Sequence, residues 1–253
     1  MGEIRLRQIC LVAPHLEPAV GHIADILGLE VCYRDPQVGK YGLENPLLSA
    51  GTTLLEVIAP TQEGTAAGRF LEKSRGHGGY MVILDCDDPD ERGRHAGSMG
   101  VRVANVIDHP PYRGVQLHPR DCRAAFIEFN HTEGSDGMMA PYPPAGPDWQ
   151  RSIRTDTTVA LTGVELQSPD PWDLARHWGG IFGIPVTPDE FERPEIVLGN
   201  VRLRFRRGGS EAMTGLTFQV RDVPQVLGAA RSRGCPCGGD SFWLAGVTFH
   251  VVG

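Results

Sequence analysis

The sequence has no apolar run of membrane-spanning length, so a transmembrane helix is not expected. Its N-terminus, MGEIRLRQ, lacks the pattern of a secretory signal. It has no basic excess either. Lys and Arg number 24 against 31 Asp and Glu, a formal charge of −7, which argues against a nucleic-acid-binding surface. Its six cysteines are scattered, and most sit inside apolar runs where a small buried thiol is expected. Cys235-Pro236-Cys237 has no second pair to complete a metal site and reads as a loop. These absences lead to the expectation of a soluble, cytoplasmic protein with no nucleic-acid or membrane partner. Its partner would be a small molecule, and a homodimer is compatible with the composition. With 253 residues, 41% of them apolar, the chain can build a sizeable core in two domains or one large one.

What is present is a repeat. Ile4–Val12 reads as a strand, and Leu16, Val20, Ile23 and Leu27 form one helical stripe stopped by Gly28. Short strands follow at Leu29–Tyr33, Leu47–Ser49 and Thr52–Ile58. The same strand-helix-strands order returns from Gly79, with a helix over Asp88–Ser98 capped by Asp87 or Asp88, and strands at Val101–Val106, Val115–Leu117 and Ala124–Phe129. It returns from Ala160, where Asp170-Pro171 starts a helix, and again from Gly215. Leu27-Gly28-Leu29, Met99-Gly100-Val101 and Phe182-Gly183-Ile184 mark equivalent points. The expected fold is therefore α+β, built from four β-α-β-β-β modules paired into two domains. These are residues 1–131 and 155–253, with 132–154 as a Pro/Gly-rich linker or strap.

The stretch Leu117–Asn130, LHPRDCRAAFIEFN, holds one acid in a short apolar strand. Alternation puts Glu128 on the face of Phe126. A lone carboxylate there is either solvated or buried for a reason, since an unpaired buried charge is costly. Histidines carry less signal: His118 lies in a turn, His15 caps the start of the first helix, His22 and His95 fall off the apolar stripes and are expected to be solvated, and His109 and His131 lie in loops.

The order of modules, with QICLVAPHLEPAVGHIADILGLEV at the start and LHPRDCRAAFIEF closing the second module, resembles the vicinal oxygen chelate superfamily. The first half looks nearest to glyoxalase I and methylmalonyl-CoA epimerase. The resemblance implies curved mixed sheets around a cavity. It also implies metal ligands from the first and fourth strands of each module. Those positions are Gln8, Glu56, Met81 (or Tyr80) and Glu128. Glyoxalase I uses Gln, Glu, His and Glu, so three of four types match. His77, the nearest histidine, lies four residues before Met81. The implied cofactor is a divalent metal: Mg, Mn, Zn or Fe. Two carboxylates and an amide oxygen favour a hard ion such as Mg²⁺ or Mn²⁺.

The implied chemistry is that of a lyase or isomerase moving a proton next to a carbonyl, with Glu128 or Glu56 as proton carrier. The alternative is a metal-free small-molecule binding protein of the bleomycin-resistance type, and the third is a ring-cleaving dioxygenase. In the second domain the same four positions are Gly163, Arg204, Gly215 and His250, which cannot hold a metal. Arg202, Arg204 and Arg206 alternate with Val201, Leu203 and Phe205, so they form either a solvated basic face or an anion-binding wall. Glu165, Asp189 and Glu190 could neutralise them internally.

Overall fold

The computed structural model describes residues 2–134 and 137–253. The first module contains β1 (Arg5–Val12), α1 (Ala19–Leu27), β2 (Val31–Tyr33), β3 (Leu43–Glu44), β4 (Leu47–Ala50) and β5 (Thr53–Pro60), followed by α2 (Ala66–Lys73). The second contains β6 (Gly79–Asp85), α3 (Pro89–Ser98), β7 (Val103–His109), β8 (Tyr112–Leu117), the single turn α4 (Pro119–Cys122) and β9 (Phe126–Thr132). The third contains β10 (Thr158–Ser168), α5 (Pro171–Phe182), β11 (Thr187–Pro188), β12 (Pro194–Val197) and β13 (Arg202–Arg207). The fourth contains β14 (Ala212–Val220), α6 (Val223–Ser232), β15 (Ser241–Leu244) and β16 (Val247–Val252).

Each module closes the same way: its first strand runs parallel to its last, as in β1–β5, β6–β9, β10–β13 and β14–β16. Modules pair through antiparallel first strands, β1 with β6 and β10 with β14. One further bridge, Met213 with Gly79, joins the two halves along β14 and β6. The result is a mixed α+β fold of curved sheet and few helices, not a closed barrel.

Period-2 alternation decides which side chains meet the helices. In β1, Leu6, Ile9 and Leu11 face the main apolar core, while Cys10 and Val12 join a separate cluster on the opposite side. In β5, Leu55, Val57 and Ala59 face the core, leaving Leu54 and Ile58 on the far side. In β9, Ile127 and Phe129 do so, and Phe126 does not. The helices of all four modules contribute to that core, and α1 packs on α6 and α3 on α5. Among the described residues, no helix is long and apolar enough to cross a membrane.

Four local expectations are corrected. The first helix begins after Pro18, and Glu17, not His15, accepts from Gly21 N at 3.1 Å; His15 is exposed. His95 is half-buried against Gly180 O at 2.8 Å, because α3 packs on α5. His109 and His131 end and line strands rather than loops, and His131 Nδ1 lies 3.1 Å from Cys86 O. The helix Ala66–Lys73 is an addition outside the repeat.

Candidate functional site

The far side of the first sheet gathers three of the acids and amides singled out from the sequence. Gln8 donates through Nε2 to Glu56 Oε2 at 2.8 Å, and Asn45 donates to Glu56 Oε1 at 2.5 Å. On β9, Glu128 accepts from Gln116 Nε2 at 2.8 Å and from the Tyr112 hydroxyl. The Tyr142 hydroxyl donates to Gln8 Oε1 at 3.0 Å. Gln8, Glu56, Glu128, Tyr112 and Tyr142 are all buried. Burial pushes the Glu56 carboxyl above the usual carboxylate range, although Asn45, Cys10 and Gln8 pull it down. Burial does the same to Glu128, against the pull of Tyr112 and Gln116 and with a push from the Glu56 charge.

A strap closes this face. After β9 the chain crosses the sheet, making 3₁₀ turns at Pro143–Ala145 and Trp149–Ser152, and drops Tyr142, Ala145 and Trp149 onto Leu47, Leu54 and Tyr112. Arg7 pins it. Its guanidinium donates to Met138 O at 2.5 Å and to Ala140 O at 3.3 Å. It also lies 4.4 Å from the Tyr142 ring centre and 5.0 Å from that of Trp149. Ser49 and Ser152 hydroxyls meet at 2.8 Å.

These residues do not fit a metal ion. Every carboxylate oxygen of Glu56 and Glu128 already accepts from a neutral donor, and the amide oxygen of Gln8 is taken by Tyr142. The fourth position carries Met81, with Tyr80 beside it in an aromatic cluster with Phe70 and Phe126. His77 does not reach the face, since its Nε2 lies 3.5 Å from Gln167 Nε2 in the other half. Among the described residues, no group of three or more His, Cys, Asp and Glu side chains is placed to hold a metal. The sequence argument missed Arg7, Asn45, Tyr112, Gln116, Tyr142 and Trp149. Only the last two left a signal: two large aromatics within a Pro/Gly-rich linker.

The second half differs. Register places Arg204 beside Glu165 as Glu56 lies beside Cys10, and His250 beside Thr217 as Glu128 lies beside Ile83. Here the face is a cavity of about 810 Å³, with Arg202, Arg204, Arg206, Glu165, Thr217 and His250 among its walls. The arginines are largely paired. Arg202 meets Glu195 at 2.6 Å, and Arg204 reaches the other Glu195 oxygen at 3.4 Å through Nε. Arg206 lies 3.5 Å from Glu165 and 3.6 Å from Asp189. Burial lowers the pKa of Arg206, with the neighbouring Arg193 adding to it. His250 Nε2 is buried and has no hydrogen-bond partner in the protein. One histidine among two glycines and an arginine gives no two-His, one-carboxylate iron site.

No family model matches the chain, and no curated protein does. Solved structures do. A hypothetical protein from Staphylococcus aureus superposes with a TM-score of 0.71 at 14% identity, covering 98% of this chain and 99% of its own. A variant of 4-hydroxymandelate synthase from Streptomyces coelicolor gives 0.65 at 15% identity, covering 93% and 76%. A methylmalonyl-CoA epimerase from Streptomyces coelicolor, in complex with 2-nitronate-propionyl-CoA, matches 54% of this chain and 99% of its own at 22% identity, with a TM-score of 0.46.

Proposed function

From a chain that carries the vicinal oxygen chelate fold in tandem, we infer a protein that binds a small molecule without a metal, in the cavity of its second half. The observation that carries this reading is the contrast between the two faces. The first is filled by the chain's own Tyr142 and Trp149, and the second stays open. A proton carrier must reach its substrate, whereas Glu56 and Glu128 are buried, with each carboxylate oxygen accepting from one of the chain's own amides or hydroxyls. Their hydrogen-bonded network has the properties of a structural core, because a polar group out of water is tolerated when hydrogen-bonded. The bleomycin-resistance type of binding protein therefore accounts for the geometry better than a lyase or isomerase acting in residues 1–131.

The test has two arms. Protein purified without chelators should contain no stoichiometric divalent metal and melt at the same temperature with and without EDTA. One ion per chain that is lost on Glu128→Ala would overturn the reading. Titration with the fluorescent probe anilinonaphthalene sulfonate should show uptake that Thr217→Trp, which fills the second cavity, abolishes. Uptake that survives Thr217→Trp but requires Trp149→Ala would place binding on the first face instead.

A further inference from the structure

We propose that the second cavity takes an amphipathic monoanion, a carboxylate on an apolar body, with the carboxylate at Arg204 and His250 and the body against Phe191, Val197 and Val252. This rests on the reading of that cavity as the binding face.

The floor is bare where the polar groups converge. A Cβ at Gly163 would lie 3.1 Å from both Arg204 Nη1 and Thr217 Oγ1. A Cβ at Gly215 would lie 3.2 Å from both His250 Nε2 and Glu165 Cβ. Two glycines on adjacent central strands thus let side chains from β13, β14, β16 and β10 settle closely onto the sheet, so that the cavity above is lined by their polar ends. In the first half, Gln8 and Met81 fill those positions.

Charge accounting then selects one arginine. Arg202 is held on Glu195 at 2.6 Å, and Arg206 lies between Glu165 and Asp189. Arg204 meets Glu195 at the longer distance of 3.4 Å through Nε, and its Nη1 stands over Gly163 in the cavity wall. A guanidinium fork suits a carboxylate, which it binds with two parallel N–H donors. With one such fork and acids on both flanks, the site favours a single negative charge over a dianion. His250 supplies the second observation. Its buried Nε2 packs over Gly215 without a partner, buried polar atoms almost always have one, and a small turn of the ring toward the cavity would offer it to a ligand oxygen.

The mouth has the opposite character. Phe191, Val197 and Val252 line the cavity yet are 63%, 47% and 44% exposed. Scattered exposed apolar residues need no explanation, but three around one opening mark an interaction surface. Phe191 is held in place: Arg193 lies 4.3 Å from its ring centre and is itself fixed by Asp189 at 3.0 Å. A polar floor under an apolar rim suits a ligand with one charged end, and a volume of about 810 Å³ is within the usual range for a small-molecule site.

The experiment is calorimetric titration of the full chain with octanoate, 1-octanol and inorganic phosphate. Octanoate should bind about tenfold or more tighter than octanol, the usual scale of a charge-assisted hydrogen bond, and phosphate should not compete. Arg204→Met should weaken octanoate and leave octanol unchanged. Glu195→Gln, which releases Arg204, should strengthen octanoate. Equal affinities for octanoate and octanol, or octanoate binding indifferent to both variants, would overturn the head-group assignment while leaving the cavity as a binding face. No uptake of either by the wild type would overturn both.

Discussion

Glu56 and Glu128 show how a residue's environment changes what it is. Both sit out of water with neutral donors on their oxygens, and burial raises both pKa values. An unfolded glutamate titrates near about 4.3. Above that pH the unfolded chain has shed protons that the folded chain keeps, so stability is full below the unfolded value and lost as pH rises through the folded one. Thermal melts between about pH 4 and about pH 8 should therefore show wild type declining with pH. Glu128→Gln should flatten that decline, and an unchanged slope would show that Glu128 is ionised in the fold. Tyr142→Phe leaves Gln8 Oε1 without its donor and should lower stability by about 1–3 kcal/mol in urea melts. Alternation along β5 and β9 made the shared face of Glu56 and Glu128 legible in the sequence. Their partners were not, because Asn45, Gln116 and Tyr112 lie on neighbouring segments whose register no local pattern fixes.

Among the secondary-structure elements, those with their own start signals could be read before the structure was known. Three helices begin the same way. Asp88 accepts from Glu91 N at 2.8 Å, Asp170 from Asp173 N at 3.0 Å and Asp222 from Gln225 N at 2.9 Å, each with proline in the first two positions. An N-cap aspartate contributes about 1 kcal/mol. Asp170→Ala should lower the urea midpoint accordingly, and Asp170→Asn should restore most of it. The helix Ala66–Lys73 escaped because it is only eight residues long, so its apolar stripe of Ala67, Phe70 and Leu71 covers barely two turns. The strap is a subtler case. Its proline and glycine content identifies a non-repetitive connection, but composition does not say where its aromatics dock. Tyr142 finds Gln8 across 134 positions of sequence.

Across the whole molecule, the two halves share one apolar core and are stitched by directed bonds. Asn200 accepts from Leu6 N at 2.8 Å and donates to Leu6 O at 2.9 Å, Thr158 donates to Leu27 O at 2.6 Å, and Arg92 donates to Phe182 O at 2.8 Å. Gly79 lies at the β6–β14 seam, where any Cβ would collide with the Met213 carbonyl oxygen. Gly79→Ala should therefore destabilise by about 1–3 kcal/mol, the usual cost of overpacking, and the whole chain should still melt in one transition. Two separate transitions would mean the halves fold independently. The strap has a further meaning at this scale. It is a ligand the protein carries covalently, and a short tether holds its own group at an effective concentration on the order of millimolar or above. Any free molecule aiming for Gln8, Glu56 and Glu128 must outcompete a resident that never diffuses away. Replacing the residues that hold the strap down would convert that permanent occupancy into an affinity that can be titrated.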